Sequence, residues 1–294
     1  MHLNDTKGYK IFRVVNIIVM ILIVIATFLP FVNIVAQSFS SERYITAGEV
    51  FLLPRGFNVD TYRAVLQNQR FWIHYRNTIV YTVVGVAIAM FLTTLLAYVL
   101  SKPKTRLKGK GFWVGFAVFT MFFAGGIIPT YIVYNNTLNI TNTMWAVVFP
   151  LALSIYNMLI MKAFFENLPT ALEEAASIDG MSTYGIFLKI ILPLSKPILA
   201  TMTLFYAVAY WNAWFQAFMF LNEWTLFPVT LFLRNLISGA TATGEAAAAE
   251  AGSTQIASNV RSVAMFLTVL PIIMVYPFVQ KYFVSGIMLG SVKE

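Results

Sequence analysis

Leu168-Pro-Thr-Ala-Leu-Glu-Glu-Ala-Ala-Ser-Ile-Asp-Gly-Met-Ser-Thr-Tyr-Gly-Ile-Phe-Leu-Lys-Ile-Ile-Leu-Pro193 is a polar island between two long apolar runs. Thr170 followed by Glu173 has the spacing of a capping box, in which the hydroxyl caps a free N–H and the carboxylate reaches back to the first amide, so a helix should begin there. Gly180 can take the left-handed conformation that ends it. Ser182 can cap a second short helix through Lys189, and Pro193 and Pro197 keep that helix from running smoothly into the next apolar segment. The expected product is a helix-turn-helix elbow at a membrane surface. Leu172, Ala175, Ala176 and Ile178 supply small or apolar surface, while Glu174 and Asp179 supply charge. Small side chains let another backbone approach closely, as a docking knob requires. A plain amphipathic surface helix has the same look, and the residues alone leave both readings open.

The sequence around the island establishes that it lies beside a membrane. Of 294 residues 59% are hydrophobic and 11% charged, with a mean hydropathy of +0.74, whereas soluble domains carry roughly 25% charged residues. Charge-free stretches that can cross about 30 Å of hydrocarbon as a helix are Val14 to Ser41, Thr78 to Leu100, Phe112 to Tyr134, Met144 to Met161, Pro197 to Leu221 and Ser262 to Gln280. The fold expected is all-α and integral to the membrane, with six transmembrane helices and both termini on one side. The first run follows Lys7, Lys10 and Arg13 like a signal peptide. It is too long for a signal segment and lacks a small-x-small cleavage site, so it reads as a retained helix.

Orientation follows from the basic residues beside the spans. Lys102, Lys104, Arg106, Lys108 and Lys110 crowd one short link, and with Lys7, Lys10 and Arg13 they mark the cytoplasmic side. Every lysine then falls inside, and the outer basic residues are all arginine: Arg43, Arg55, Arg63, Arg70, Arg76, Arg234 and Arg261. The net charge of +8 reflects this topology and not a nucleic-acid surface, because the basic residues flank apolar segments. The layout expected is a cytoplasmic N-terminus (1–13), a first transmembrane helix (14–41), an outer loop (42–77), a five-helix core (78–284) containing the elbow loop 164–196 and the outer loop 223–261, and a cytoplasmic tail (285–294). Within the second outer loop, the small-residue stretch Gly239 to Ser253 reads equally as a mobile loop or a docking element.

Several classes are set aside. There is no cysteine, hence no disulfide framework or thiolate metal site. His2 and His74 lie far apart and are expected to be ordinary polar residues near the membrane surface. Neither a P-loop nor a glycine-rich dinucleotide turn is present, so neither nucleotide hydrolysis nor any other catalytic site is expected in this chain.

Glu174-Ala175-Ala176, three residues, Gly180, nine residues, Ile190, one residue and Leu192-Pro193 resemble, without departure, the EAA loop of ABC importer permeases. Gly126-Ile-Ile-Pro-Thr-Tyr131, Asn157-Met-Leu-Ile160 and Tyr210-Trp-Asn-Ala-Trp-Phe215 resemble the carbohydrate (MalG-like) branch of that family. Phe227-Pro228 with Leu231 and Arg234, and Gln280-Lys-Tyr-Phe-Val-Ser-Gly-Ile287, are similar to permeases for complex or acidic oligosaccharides such as alginate and pectic fragments.

The resemblance implies a type I ABC importer permease fold with a cytoplasmic coupling helix, in a bacterial inner membrane. It also implies partners: a second homologous permease subunit, two ATPase subunits that hold ATP and magnesium, and an extracytoplasmic sugar-binding protein. Carried onto this sequence, it makes Glu174 the charged contact to the ATPase, Ala175 and Ala176 a close-packing surface and Gly180 the turn, with Asp179 beside it, and Glu173 is left to capping. For the translocation path, Thr203, Tyr206, Tyr210 and Trp214 recur at helical spacing beside Trp211 and Asn212, a stripe suited to stacking on sugar rings. Asn212 also forms an i, i+4 pair with Gln216. Helix packing or an interfacial belt would use the same residues.

Two rival functions are weighed. An ion-coupled carrier usually places ionisable groups at membrane depth, and no Asp, Glu, Lys or Arg lies within the span limits above. A permease for a non-sugar solute would share the elbow, and only the resemblance around Trp211 to Phe215 argues against it.

Overall fold

The computed structural model describes residues 7–239 and 258–291, and every regular element among them is helical. In chain order they are α1 (Lys7–Ser38), α2 (Glu42–Thr46), α3 (Asp60–Gln67), α4 (Gln69–Ser101), α5 (Lys110–Phe122), α6 (Ile127–Ile132), α7 (Trp145–Val148), α8 (Ile155–Glu166), α9 (Thr170–Ile178), α10 (Thr183–Ile186), α11 (Leu192–Leu194), α12 (Lys196–Trp211), α13 (Trp214–Phe220), α14 (Val229–Gly239) and α15 (Ser258–Ser291). The chain divides into two compact units, Met1–Gln69 with Asn235–Leu270 and Arg70–Arg234 with Pro271–Glu294.

In the first unit, Gly8–Ser38 is 31 residues long and its most apolar 18-residue stretch has a mean hydropathy of 2.8, ample for about 30 Å of hydrocarbon. Every residue from Gly8 to Phe28 is exposed. Beyond Leu29 it packs. Asn33 donates to the carbonyls of Val50 (3.2 Å) and Phe51 (2.8 Å), Ser38 bonds the Tyr62 hydroxyl (2.7 Å), and Phe39 stacks on both Phe57 and Tyr62. Asn259 closes the unit with a 2.6 Å bond to Thr61. The segment expected as an outer loop, 42–77, contains α2, α3 and the first turns of α4.

In the second unit, α4 begins at Gln69, before the expected start at Thr78, because its polar first turns are buried and bonded. Asn77 donates to the carbonyls of Thr225 (2.7 Å) and Phe227 (3.2 Å), Tyr81 donates to that of Leu226 (2.8 Å), and the Val229 amide donates to Thr78 Oγ1 (2.7 Å). His74 is 2% exposed, with Nδ1 3.0 Å from the Phe227 carbonyl. It is thus a structural polar residue, as expected, buried within the protein. His2 lies outside the described residues. These side chains satisfy backbone groups in and beside the single 3-10 turn Trp224–Leu226, as a low-dielectric setting demands.

The expected third, fourth and fifth spans are each interrupted. α5 and the helix from Ile127 meet at 105°, because Gly125 (φ +67°) and Gly126 (φ +98°) take backbone angles that helices exclude. Trp145–Leu151 and α8 meet at 47° after Pro150, with Ser154 capping α8 by accepting from the Asn157 amide. α12 stops at Trp211, where Asn212 folds its side chain back onto the Val208 carbonyl (2.9 Å), and α13 restarts the run at Trp214. Among the described residues two helices are long and apolar enough to cross a membrane, and up to five spans result if three bent pairs each count once, the first two of these breaks and the 81° pair Thr183–Leu194 with Lys196–Trp211. α15 covers the expected sixth span and continues to Ser291, into residues expected as a tail. The small-residue stretch from residue 240 to Ser253 lies outside the described residues.

Candidate functional site

α9 and α10 form the elbow, and its turn is a Schellman motif. The Met181 amide donates to the Ala176 carbonyl (3.0 Å), the Gly180 amide to that of Ser177 (3.1 Å), and Gly180 sits at φ +78°. Ser182 then caps α10 by accepting from the Gly185 amide (3.2 Å). The following turn is a π-helix, Phe187–Ile191, and α11 carries Pro193 in its first turn. The second arm therefore reaches Leu194, past the expected end at Lys189, before turning 81° into α12. Ser195, fully buried, occupies that corner.

The elbow has a sealed underside and an open crest. Ala176, Ile186, Phe187 and Ile191 are buried in one cluster with Ala97, Tyr98, Met161 and Phe165. On the crest Ile178 is 86% and Tyr184 79% exposed, with Leu172, Glu174, Ala175 and Asp179 exposed beside them. Of the expected contact residues, Glu174, Ala175 and Asp179 face outward. Ala176 does not: it is the third residue from the end of α9, the position a Schellman turn packs against its own core.

Glu173 also departs from its expected role. Pro169 precedes α9 without a side-chain cap, and the Glu173 carboxylate lies 2.5 Å from Lys102 Nζ and 3.3 Å from Arg106. Lys102 also rests 3.6 Å from the centre of the Tyr98 ring, and burial, only partly offset by Glu173, holds its pKa below the ordinary lysine value. Glu166 bridges Lys110 (2.7 Å) and Lys162 (2.8 Å). The basic link that signalled topology thus holds the elbow through two acids. Its signal in the sequence was the presence of those acids in the next loop on the same side.

The expected translocation stripe on α12 splits. Tyr206 is buried, bonded to Thr93 (2.6 Å) and accepting from the Ser154 amide (3.0 Å). Tyr210 is buried, donates to the Val148 carbonyl (2.9 Å) and fills the space above Gly85, where an added Cβ would overlap its ring. Both tyrosines fasten α12 to its neighbours. Trp211 is also buried, edge-on to Tyr75. Thr203, Asn212 and Trp214 are exposed, with Arg234 lying over the rings of Trp214 (4.8 Å) and Phe218 (4.4 Å). Gln216 is half-buried, and Asn212 makes its bond to Val208, not to Gln216. Among the arginines expected on the outer side, Arg55 pairs with Glu49, Arg63 with Asp60, and Arg70 lies over Trp224.

No protein-family model matches the chain. Over 293 residues, 99% of this chain and 98% of the relative, it is 38% identical to Protein LplC of Bacillus subtilis (strain 168). It is 37% identical over 266 residues (90% of this chain, 92% of the relative) to the polygalacturonan/rhamnogalacturonan transport system permease protein YtcP of the same organism. Its fold is similar to that of a chain in the crystal structure of a bacterial ABC transporter involved in the import of the acidic polysaccharide alginate. The TM-score there is 0.85, with 33% identity over 95% of this chain and 98% of that one.

Proposed function

The chain belongs to the carbohydrate ABC-importer permeases, and on that premise we propose that it translocates an acidic oligosaccharide and takes its drive from an ATPase docked on the α9–α10 elbow. It is a transport subunit and not an enzyme, and the ion-coupled carrier is thereby set aside. In the proposed assembly it stands beside a second homologous permease, above two ATPase subunits that bind ATP and magnesium, and beneath an extracytoplasmic sugar-binding protein. The elbow and the basic link 102–110 face the cytoplasm, as do both termini, with six crossings made by α1, α4, α5 with α6, α7 with α8, α12 with α13, and α15. Closure of the ATPases on ATP would carry the elbow with it, and the 81° corner at Ser195 would pass that movement into α12.

The observation that carries the docking proposal is the contrast between the crest and the underside. Ile178 and Tyr184 are large, apolar and almost wholly exposed on a turn whose lower face is buried. A surface offering apolar groups and two carboxylates, Glu174 and Asp179, has the character of one completed by a partner. Asp179 lies at its edge.

For the cargo, two similar proteins carry names referring to uronate polymers or an acidic polysaccharide. Arg234, over the rings of Trp214 and Phe218, combines a fork of donors with rings of the kind that stack on a sugar. Arg55 and Arg63 are already engaged by acids and drop out of that role. In proteoliposomes of the complete importer, uronate oligosaccharides delivered by their binding protein should stimulate ATP hydrolysis. Stimulation by matched neutral oligosaccharides alone would refute the acidic cargo. Glu174→Lys should release the ATPase or abolish uptake, and normal uptake with normal ATPase binding would refute the docking.

A further inference from the structure

Joining the elbow to the link between α4 and α5 is a set of opposite charges that hydropathy alone would not bring together. Lys102 and Glu173 are 71 residues apart in sequence, yet their side chains are 13% and 18% exposed and 2.5 Å apart. Arg106 closes on the other carboxylate oxygen at 3.3 Å and is 49% exposed. Lys102 is held from its far side by the Tyr98 ring, and Tyr98 itself packs on Phe187 of the elbow's second arm, ring centres 4.6 Å apart. A second clamp, Lys110–Glu166–Lys162, fixes the residue just before the elbow to the start of α5. Partly buried pairs of this kind contribute little net stability, since desolvation offsets attraction, but breaking one leaves an uncompensated charge. Their energetic effect is therefore to disfavour separation.

We propose that Glu173 is a positioning residue which, through Lys102 and Arg106, makes the 102–106 link and the elbow move as one body when the ATPase drives the elbow. The proposal rests on the elbow being the ATPase joint. A joint that slid against the link would dissipate the stroke, whereas a braced one delivers it to α4 as well as to α12. Glu173 touches neither nucleotide nor sugar, and its contribution is to direct force.

The absence of cysteine from the chain permits a direct measurement. Spin labels are placed at Lys104→Cys and Thr183→Cys, both exposed positions, in the complete importer with cysteine-free partner subunits. The inter-label distance distribution is recorded nucleotide-free and with ATP–vanadate. The parent should give one narrow distribution, unchanged between the two states. Glu173→Gln should widen it about twofold and lower sugar imported per ATP by about two- to thirtyfold, the range expected when a coupling contact is removed. The ATPase should still co-purify. Glu173→Lys combined with Lys102→Glu should restore the narrow distribution, because the exchanged pair keeps its attraction while the more exposed Arg106 can turn to water.

A parent distribution that shifts between states overturns the proposal. So does a Glu173→Gln distribution as narrow as the parent's, or a charge exchange that assembles without narrowing it. These outcomes are separable from failure of the docking reading, which is registered by Glu174→Lys retaining both its ATPase and its uptake.

Discussion

Replacing Gly180 tests the elbow at its most local point. The residue sits at φ +78°, and no atom lies within 4 Å of where a side-chain Cβ would be placed, so any cost of substitution is conformational and not steric crowding by neighbours. An L-residue in the left-handed region costs about 1–2 kcal/mol, which at 1.4 kcal/mol per factor of ten corresponds to about a 5- to 30-fold rise in opening of the turn. Gly180→Ala should fall in that range. Gly180→Asn should stay below about 5-fold, because asparagine tolerates this region, and Gly180→Val should exceed about 30-fold, because a β-branched side chain is an outlier there. The readout is hydrogen exchange in the assembled importer at the amides of residues 180 and 181, which donate to Ser177 and Ala176. Sugar uptake should decline in the same order. Valine and asparagine variants that exchange alike would show that the turn does not depend on the left-handed conformation.

Three other perturbations separate packing from coupling. Tyr206→Phe strands the Ser154 amide and the buried Thr93 hydroxyl and should lower stability in detergent by about 1–2 kcal/mol, read as a fall in melting temperature. Gly85→Ala forces the Tyr210 ring aside and should cost about 1–3 kcal/mol, with Gly85→Ala/Tyr210→Leu less destabilised than the two single changes added together. Because burial depresses the Lys102 pKa, its ammonium form is the one that folding disfavours. Raising pH through that pKa therefore releases the bond to Glu173 without a loss of fold stability. Uptake in the parent should then fail at a lower alkaline pH than in Lys102→Arg, at unchanged melting temperature, and identical pH profiles would refute this.

The features that could be read from the chain were those decided within a few residues. Gly180 and Ser182 act through φ and a single amide, and both behave as their types dictate. Glu173 was misassigned because a capping partner three residues away accounted for it, while Lys102 could be found only by bringing two loops together. The spacing of Tyr206 and Tyr210 placed them on one face of α12, but spacing cannot say whether that face looks into a path or onto α4. Hydropathy likewise gave the apolar runs and missed their breaks, because Gly125, Gly126 and Asn212 alter backbone direction while hardly changing composition. The inward turn of Ala176 follows from the Schellman geometry once Gly180 is fixed, and was within reach of the sequence.

The first helix carries a different lesson. Between Ile11 and Phe28 its residues are exposed, and its Thr27 hydroxyl bonds only back to the Ile23 and Val24 carbonyls of the same helix. Within this chain, that stretch is specified by what it contains and not by the order in which it contains it. Beyond Leu29, where Asn33, Gln37 and Ser38 each have a fixed partner, order becomes information. A saturation library across α1 should therefore record a step: shuffled apolar sequences accepted up to Phe28, and single substitutions rejected a turn later.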